Sequence, residues 1–228
     1  MMSTQTPYET DAIATSSGAL SITFLGHGSL LFTFLGKEIY IDPFSRVADY
    51  TQMPAADVIL LTHEHADHLD LAAIAAIRTP ATQIVLTETC AAQIPEGIVM
   101  HNGDILTIGD LYIEAVPAYN IQHKRDNGQP FHPQGRGNGY ILTFGDQRVY
   151  IAGDTENIPE MRRLQDIAIA FLPMNLPYTM TPAMAADAAK TFKPRVLYPY
   201  HYGNTNVTEL VELLSAEKDI EVRIRKLA

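Results

Sequence analysis

The sequence predicts an α/β fold in which two β-sheets stack face to face with helices on their outer sides. Three observations predict it. Two passages resemble each other, Gly26–Gly36 followed by Lys37–Asp42, and Gly137–Gly145 followed by Asp146–Asp154. Each reads as a hairpin that ends in an aspartate. Each is then followed by an apolar strand, a helix and another strand, and the second apolar strand ends at Met174-Asn175 where the first reaches Thr62-His63. Two β-rich halves with helices on one face of each bury their apolar surfaces best as a sandwich. Hairpins resemble one another, so the pairwise match alone leaves a duplication open.

The elements follow in order. Residues 20–25 alternate and read as a strand. Residues 29–35 and 37–41 form the first hairpin, turned near Gly36 and stopped at Asp42-Pro43. The run Val58-Ile59-Leu60-Leu61 is a short buried strand. Residues 71–77, rich in alanine, are a helix. Strands are expected at 83–86, 98–101, 105–108 and 111–116, with a turn at Asn102-Gly103-Asp104. Residues 121–138 form a long loop rich in Gly, Pro, His and charge, a length that often signals function. The second hairpin spans 140–144 and 148–152. A short helix at 158–164 carries Pro159 in its first turn. A strand at 167–172, a helix at 182–192 capped by Thr181, a strand at 196–200, a helix at 207–216 and a strand at 220–224 complete the chain.

The 228 residues suit one large domain over 19–228, preceded by a loose Ser/Thr-rich arm over 1–18. With 46% hydrophobic and 18% charged residues, a substantial core is available. The formal net charge of −10 argues against nucleic acid and anionic membrane as general partners. It leaves an anionic small molecule open, because a bound dication reverses the local field. The single cysteine, Cys90, permits no intrachain disulfide and reads as a small buried residue. The first 18 residues lack a basic region followed by a long apolar run, so no signal peptide is expected, nor any membrane span. A cytoplasmic protein is the expectation, with a homo-oligomer left open.

The chemistry concentrates in Leu60–Asp70, where three histidines and three carboxylates follow a strand and precede a helix. His63 and His65 are two apart at a strand end, and extended backbone points side chains at i and i+2 to one side. Both imidazoles can therefore reach one ion. Asp67 and His68, at the turn into the helix, can face a second ion about 3.5–4 Å away. Further ligands must come from other segments, and Asp154 and His201 follow strands at suitable places. His/Asp clusters of this kind suit zinc, with manganese or iron as alternatives.

The pattern His63-x-His65-x-Asp67-His68, with Asp42 after an earlier strand, Asp154 in Gly153-Asp154-Thr155 and His201 in Pro199-Tyr200-His201-Tyr202-Gly203, resembles the metallo-β-lactamase superfamily over roughly residues 20–225. Within it the chain looks most like small hydrolases related to the ascorbate-phosphate lactonase. The N-acylphosphatidylethanolamine-cleaving phospholipase D is a more distant likeness. The resemblance implies an αββα sandwich, a true duplication, and a dinuclear site of two divalent ions between the sheets. It implies that His63 and His65 bind the first ion, that Asp67, His68 and His201 bind the second, and that Asp154 bridges them. Asp67 and Asp154 are the catalytic residues on this reading. Asp42 orients a ligand histidine, a role His27 shares as a candidate.

One position departs from the family pattern. The third histidine of the first ion usually follows a strand corresponding to residues 111–118, and here that place is held by Asn120. The loop beyond offers His132, held between Pro130 and Pro133, and His123, in a polar run. His132 is the favoured replacement, with Asn120 itself, His123 or no third ligand as the alternatives. Tyr178 is expected at the site mouth, and Arg136 is a candidate anion contact. The implied activity is hydrolysis, by a metal-bound hydroxide, of an ester, lactone or phosphodiester in a small, plausibly anionic substrate. The alternatives are a phosphodiesterase acting on lipid or nucleotide, and a metal-binding sensor or scaffold without enzymatic activity.

Overall fold

The structure is a computed structural model that describes residues 8–228. Strands β1 (Glu9–Thr15), β2 (Gly18–Gly26), β3 (Ser29–Phe34), β4 (Lys37–Ile41), β5 (Val58–Leu60), β6 (Gln83–Leu86) and β7 (Ile98–Val99) form one sheet in sequence order. Strands β8 (Ile105–Ile108), β9 (Leu111–Ala118), β10 (Gly137–Phe144), β11 (Gln147–Ile151), β12 (Ile167–Pro173), β13 (Val196–Tyr200) and β14 (Glu221–Val222) form the other, also in sequence order. In each sheet the first three pairings are antiparallel and the last three parallel. The two halves therefore share one topology, as the paired hairpins predict.

Side-chain alternation explains the stacking. In β3, Leu30, Phe32 and Phe34 join the core between the sheets, while Leu31 faces outward. In β5, Val58 and Leu60 point inward, and Ile59 points outward with Leu61 beyond it. An unbroken apolar run is what a strand buried on both faces requires. The outer face of the first sheet is covered by α1 (Leu71–Ile77), through Ala73, Ile74 and Ile77, and by the short α2 (Glu88–Ala91), which buries Cys90. The outer face of the second is covered by α3 (Pro182–Phe192) and α4 (Val207–Leu213), through Ala185, Ala189, Phe192 and Leu210. The result is an αββα sandwich. Asp70 caps α1 by accepting from the N–H groups of Ala72 and Ala73, and Thr181 caps α3 by accepting from Met184. The helix expected at 158–164 is a 3₁₀ turn over Pro159–Arg163.

The loose arm expected over 1–18 is corrected for its later part. Residues 9–15 pair along the whole of β2 as an antiparallel edge strand. Asp11 on this strand binds Arg225 at 2.8 Å and also meets Tyr198 and Arg223. Its carboxyl is held below the ordinary range; burial opposes this, and the Tyr198 and Arg225 hydrogen bonds outweigh burial. Residues 1–7 lie outside the described residues. No helix of the described residues is long and apolar enough to cross a membrane.

Candidate metal centre

The parallel strands β4, β5, β11 and β13 all end at the same rim of the sandwich, and the loops leaving them carry the site. Three of the residues there have left-handed backbone: His27 (φ 53°), Asp42 (φ 42°) and His201 (φ 46°). Such strain in residues that carry a Cβ persists only where packing enforces it, and it is concentrated at functional sites. Gly153, just before Asp154, also has positive φ (65°), and a Cβ there would lie 2.8 Å from the Asn138 carbonyl and 3.2 Å from Thr62. That close passage brings Asp154 up to the loop after β5.

Asp42 is fully buried and organises the first half of the site. Its Oδ1 accepts from the Thr62 N–H at 2.8 Å, and its Oδ2 accepts from the Thr62 hydroxyl at 2.6 Å. The same Oδ2 lies 2.7 Å from His68 Nδ1. A carboxylate only accepts, so His68 carries its proton on Nδ1. Thr62 spends its one proton on Asp42, so at 3.0 Å it accepts from His63 Nδ1. Both rings are thus fixed with Nε2 free.

Those Nε2 atoms point at Asp154. His63 Nε2 is 3.9 Å and His68 Nε2 3.6 Å from Asp154 Oδ2. His132 Nε2 lies 3.2 Å and His201 Nε2 3.6 Å from the same oxygen. His65 Nδ1 lies 3.0 Å from His63 Nε2. On the other side, His201 Nε2 is 3.1 Å from His68 Nε2 and 3.4 Å from Asp67 Oδ2. The donors fall into three groups able to hold a cation: His63, His65 and His132; Asp67, His68 and His201 with His27; and His63, His68 and Asp154.

The donor set fits divalent metal. Lone pairs of imidazole and carboxylate face each other across the site, an arrangement that needs positive charge between them. Asp154 Oδ1 is a buried acceptor without a hydrogen-bond partner among the described residues. Imidazole and carboxylate together are the donors of zinc and of other first-row ions. The electrostatics agree. Burial opposes charge on His68, but Asp154 and Asp42 outweigh it and raise its pKa to about 9. Burial together with the neighbouring His68 drives His63 well below its ordinary value. Asp67 is held far below the carboxylate range; burial opposes this, and hydrogen bonds from His201 and His27 dominate.

The remaining sequence candidates separate. Asn120 is 5% exposed and is not itself among the donors; it meets the cluster through His132, its Oδ1 accepting from the His132 N–H at 2.8 Å and lying 2.7 Å from His132 Nδ1. His123 lies away from the cluster, its Nδ1 3.0 Å from Glu156 Oε1. His27 Nε2 donates to Asp67 Oδ2 at 2.9 Å, and its ring stands 3.7 Å from that of His201. Tyr178 lines the mouth, edge-on to Phe131 at 5.0 Å. Arg136 faces Glu64 at 3.6 Å. A cleft of about 420 Å³ opens over the cluster between His65, Asp67, Arg125, Phe131, Tyr178 and His201. Sequence reasoning missed Thr62, Arg125 and Glu156. The only signal for Glu156 is its place two residues after Asp154.

The fold and this cluster agree with the comparisons. Residues 21–201 match the β-lactamase superfamily domain model. The chain belongs to that superfamily. Within it, the chain belongs to the family of UPF0173 metal-dependent hydrolases: it is 33% identical over 201 residues to one from Thermococcus onnurineus, covering 80% of this chain and 84% of the relative. It is 30% identical over 195 residues to another from Methanopyrus kandleri, covering 81% and 84%. A crystal structure from Parabacteroides distasonis, named as a candidate metal-dependent hydrolase, superposes with a TM-score of 0.93 at 52% identity, covering 97% of this chain and 100% of that one. A metallo hydrolase from Ignicoccus hospitalis, at 23% identity and TM-score 0.75 over 92% and 96% of the chains, shares the fold.

Proposed function

We propose that this metal-dependent hydrolase uses two divalent ions, zinc by preference, to cleave an ester, lactone or phosphodiester bond in a small anionic substrate. His63, His65 and His132 hold the first ion, Asp67, His68 and His201 the second, and Asp154 serves both. The observation that carries this reading is the arrangement of two three-donor sets on either side of Asp154 Oδ2. Bound there, the ions supply an acidified water and a Lewis acid for the electrophile.

The chain supplies the rest. Asp67, held ionised by its hydrogen bonds, orients water by accepting from it. Asp42 keeps His63 and His68 facing the ions. The mouth suits a small substrate with an anionic group: Arg125 stacks 5.2 Å over Phe131 at the cleft and has no carboxylate partner among the described residues. Tyr178 provides the facing wall. A small metabolite is the substrate class that fits a cleft of this size, and the ascorbate-phosphate lactonase likeness points the same way.

The test is a screen of the zinc-loaded protein over lactones, phosphodiesters and thioesters, each in anionic and neutral forms, with Asp67→Ala as the blank. Turnover of an anionic lactone, ester or phosphodiester that Asp67→Ala abolishes is the expected result. Equal rates in the blank, or no turnover with both ions bound, would sink the proposal.

A further inference from the structure

Glu156 plays no part in the donor cluster, yet it is fully buried and carries a dense set of hydrogen bonds. Its Oε2 accepts from the N–H groups of Ile121 at 2.9 Å and Gln122 at 2.7 Å. Its Oε1 accepts from the His123 N–H at 2.6 Å and from Asn120 Nδ2 at 3.0 Å. Three backbone N–H groups and one amide N–H thus meet its two oxygens, and both oxygens act as acceptors.

Its consequences pass along the side chains. Asn120 Nδ2 faces two acceptors, Glu156 Oε1 and the Tyr178 carbonyl at 2.9 Å. Both protons of the amide are therefore spent, and the flipped amide would set its oxygen against a carboxylate and a carbonyl. Oδ1 must then face His132. That oxygen already accepts from the His132 N–H at 2.8 Å and stands 2.7 Å from Nδ1. An amide oxygen cannot donate, so Nδ1 carries a proton, and Nε2, 3.2 Å from Asp154, is the nitrogen left for a metal.

We infer that Glu156 is a positioning residue that, through Asn120, fixes the proton of His132 on Nδ1 and so frees Nε2 for the first ion. The inference rests on the proposed role of His132 as a ligand. It gives a physical reason for the departure at Asn120. The asparagine does not replace a histidine ligand; it links a buried carboxylate to a histidine delivered by the loop. The segment after β11 thus grips His132 from both sides, with Asp154 at Nε2 and Glu156, through Asn120, at Nδ1.

The test uses zinc-loaded protein with ¹⁵N-labelled histidine. Two-bond ¹H–¹⁵N spectra should show His132 protonated on Nδ1 and metallated on Nε2. Wild-type protein with the proton on Nε2 would overturn the inference without any variant. In Glu156→Gln the new amide donates to Asn120, which can turn its own amide and offer a donor to His132. First-ion affinity, read by chelator competition, should then fall about 10–100-fold while the second ion stays bound. Asn120→Asp/Glu156→Gln puts an acceptor back in front of Nδ1 and should recover most of that loss. A role confined to anchoring the loop predicts no recovery. Unchanged first-ion affinity in Glu156→Gln contradicts the inference. If His132→Ala keeps both ions, the ligand assignment itself fails, a result distinct from each of these.

Discussion

Asp42 and Glu156 are both buried carboxylates that end a chain of hydrogen bonds on site histidines, but they act at different distances. Asp42 touches His68 directly at 2.7 Å and reaches His63 through the Thr62 hydroxyl. Glu156 reaches His132 only through the Asn120 amide. Direct contact places negative charge against the ring, and with Asp154 it raises His68 to about 9 despite burial. An intervening amide transmits orientation without placing charge against the ring. The difference follows the origin of the donors. His63, His65, Asp67 and His68 come from one segment already fixed by β5 and α1. His132 comes from a loop, so its carboxylate must also accept from three backbone N–H groups to hold that loop closed.

The largest effect is expected from breaking the direct contact. Asp42→Ala leaves His68 buried without its partner and frees Thr62, so both halves of the cluster lose orientation. Unfolding by denaturant should show a loss of about 3–5 kcal/mol, and both ions should bind more weakly. If only the second ion weakens, the Thr62 link to His63 is unimportant.

Much of this was legible in the sequence because it is local. The run 58–61 followed by His63 to His68 names a strand, a turn and four donors within eleven residues. The paired hairpins foretell two sheets of one topology. What was not legible depends on distant partners. Strand β1 has one large apolar residue, Ile13, and its anchor is Arg225, 214 residues away. Glu156 looks like an ordinary surface glutamate until the loop closes over it. His132 could be ranked above His123 by its flanking prolines, but Asn120's part in orienting it needs the amide, the carboxylate and the ring in one place.

A narrower cut sharpens the comparison. Thr62→Val keeps the shape at that site and removes the hydroxyl that His63 uses, leaving Asp42 on His68. Loss of a buried hydrogen-bond partner should cost about 1–3 kcal/mol, and chelator competition should show the first ion weakened with the second retained. Equal weakening of both would mean that the two halves are not separable.

The smallest effect belongs to a carboxylate that serves the fold and not the site. Asp11→Asn should lower the melting temperature by about 2–4 °C, the equivalent of about 1 kcal/mol, with metal content unchanged. The folded carboxyl is depressed, so its contribution is present above the unfolded value of about 3.9 and fades as pH falls below it. The gap between wild type and variant should therefore narrow in acid. A gap that widens there would contradict the ion-pair account of β1.

The central claim is that His132 completes the first half of a two-ion centre. Metal content of gently purified, zinc-replete protein tests it most directly, comparing wild type with His132→Ala and His65→Ala. Two ions per chain in wild type, and one in each variant, is the result this account predicts. Two ions retained in His132→Ala, with one in His65→Ala, would contradict it.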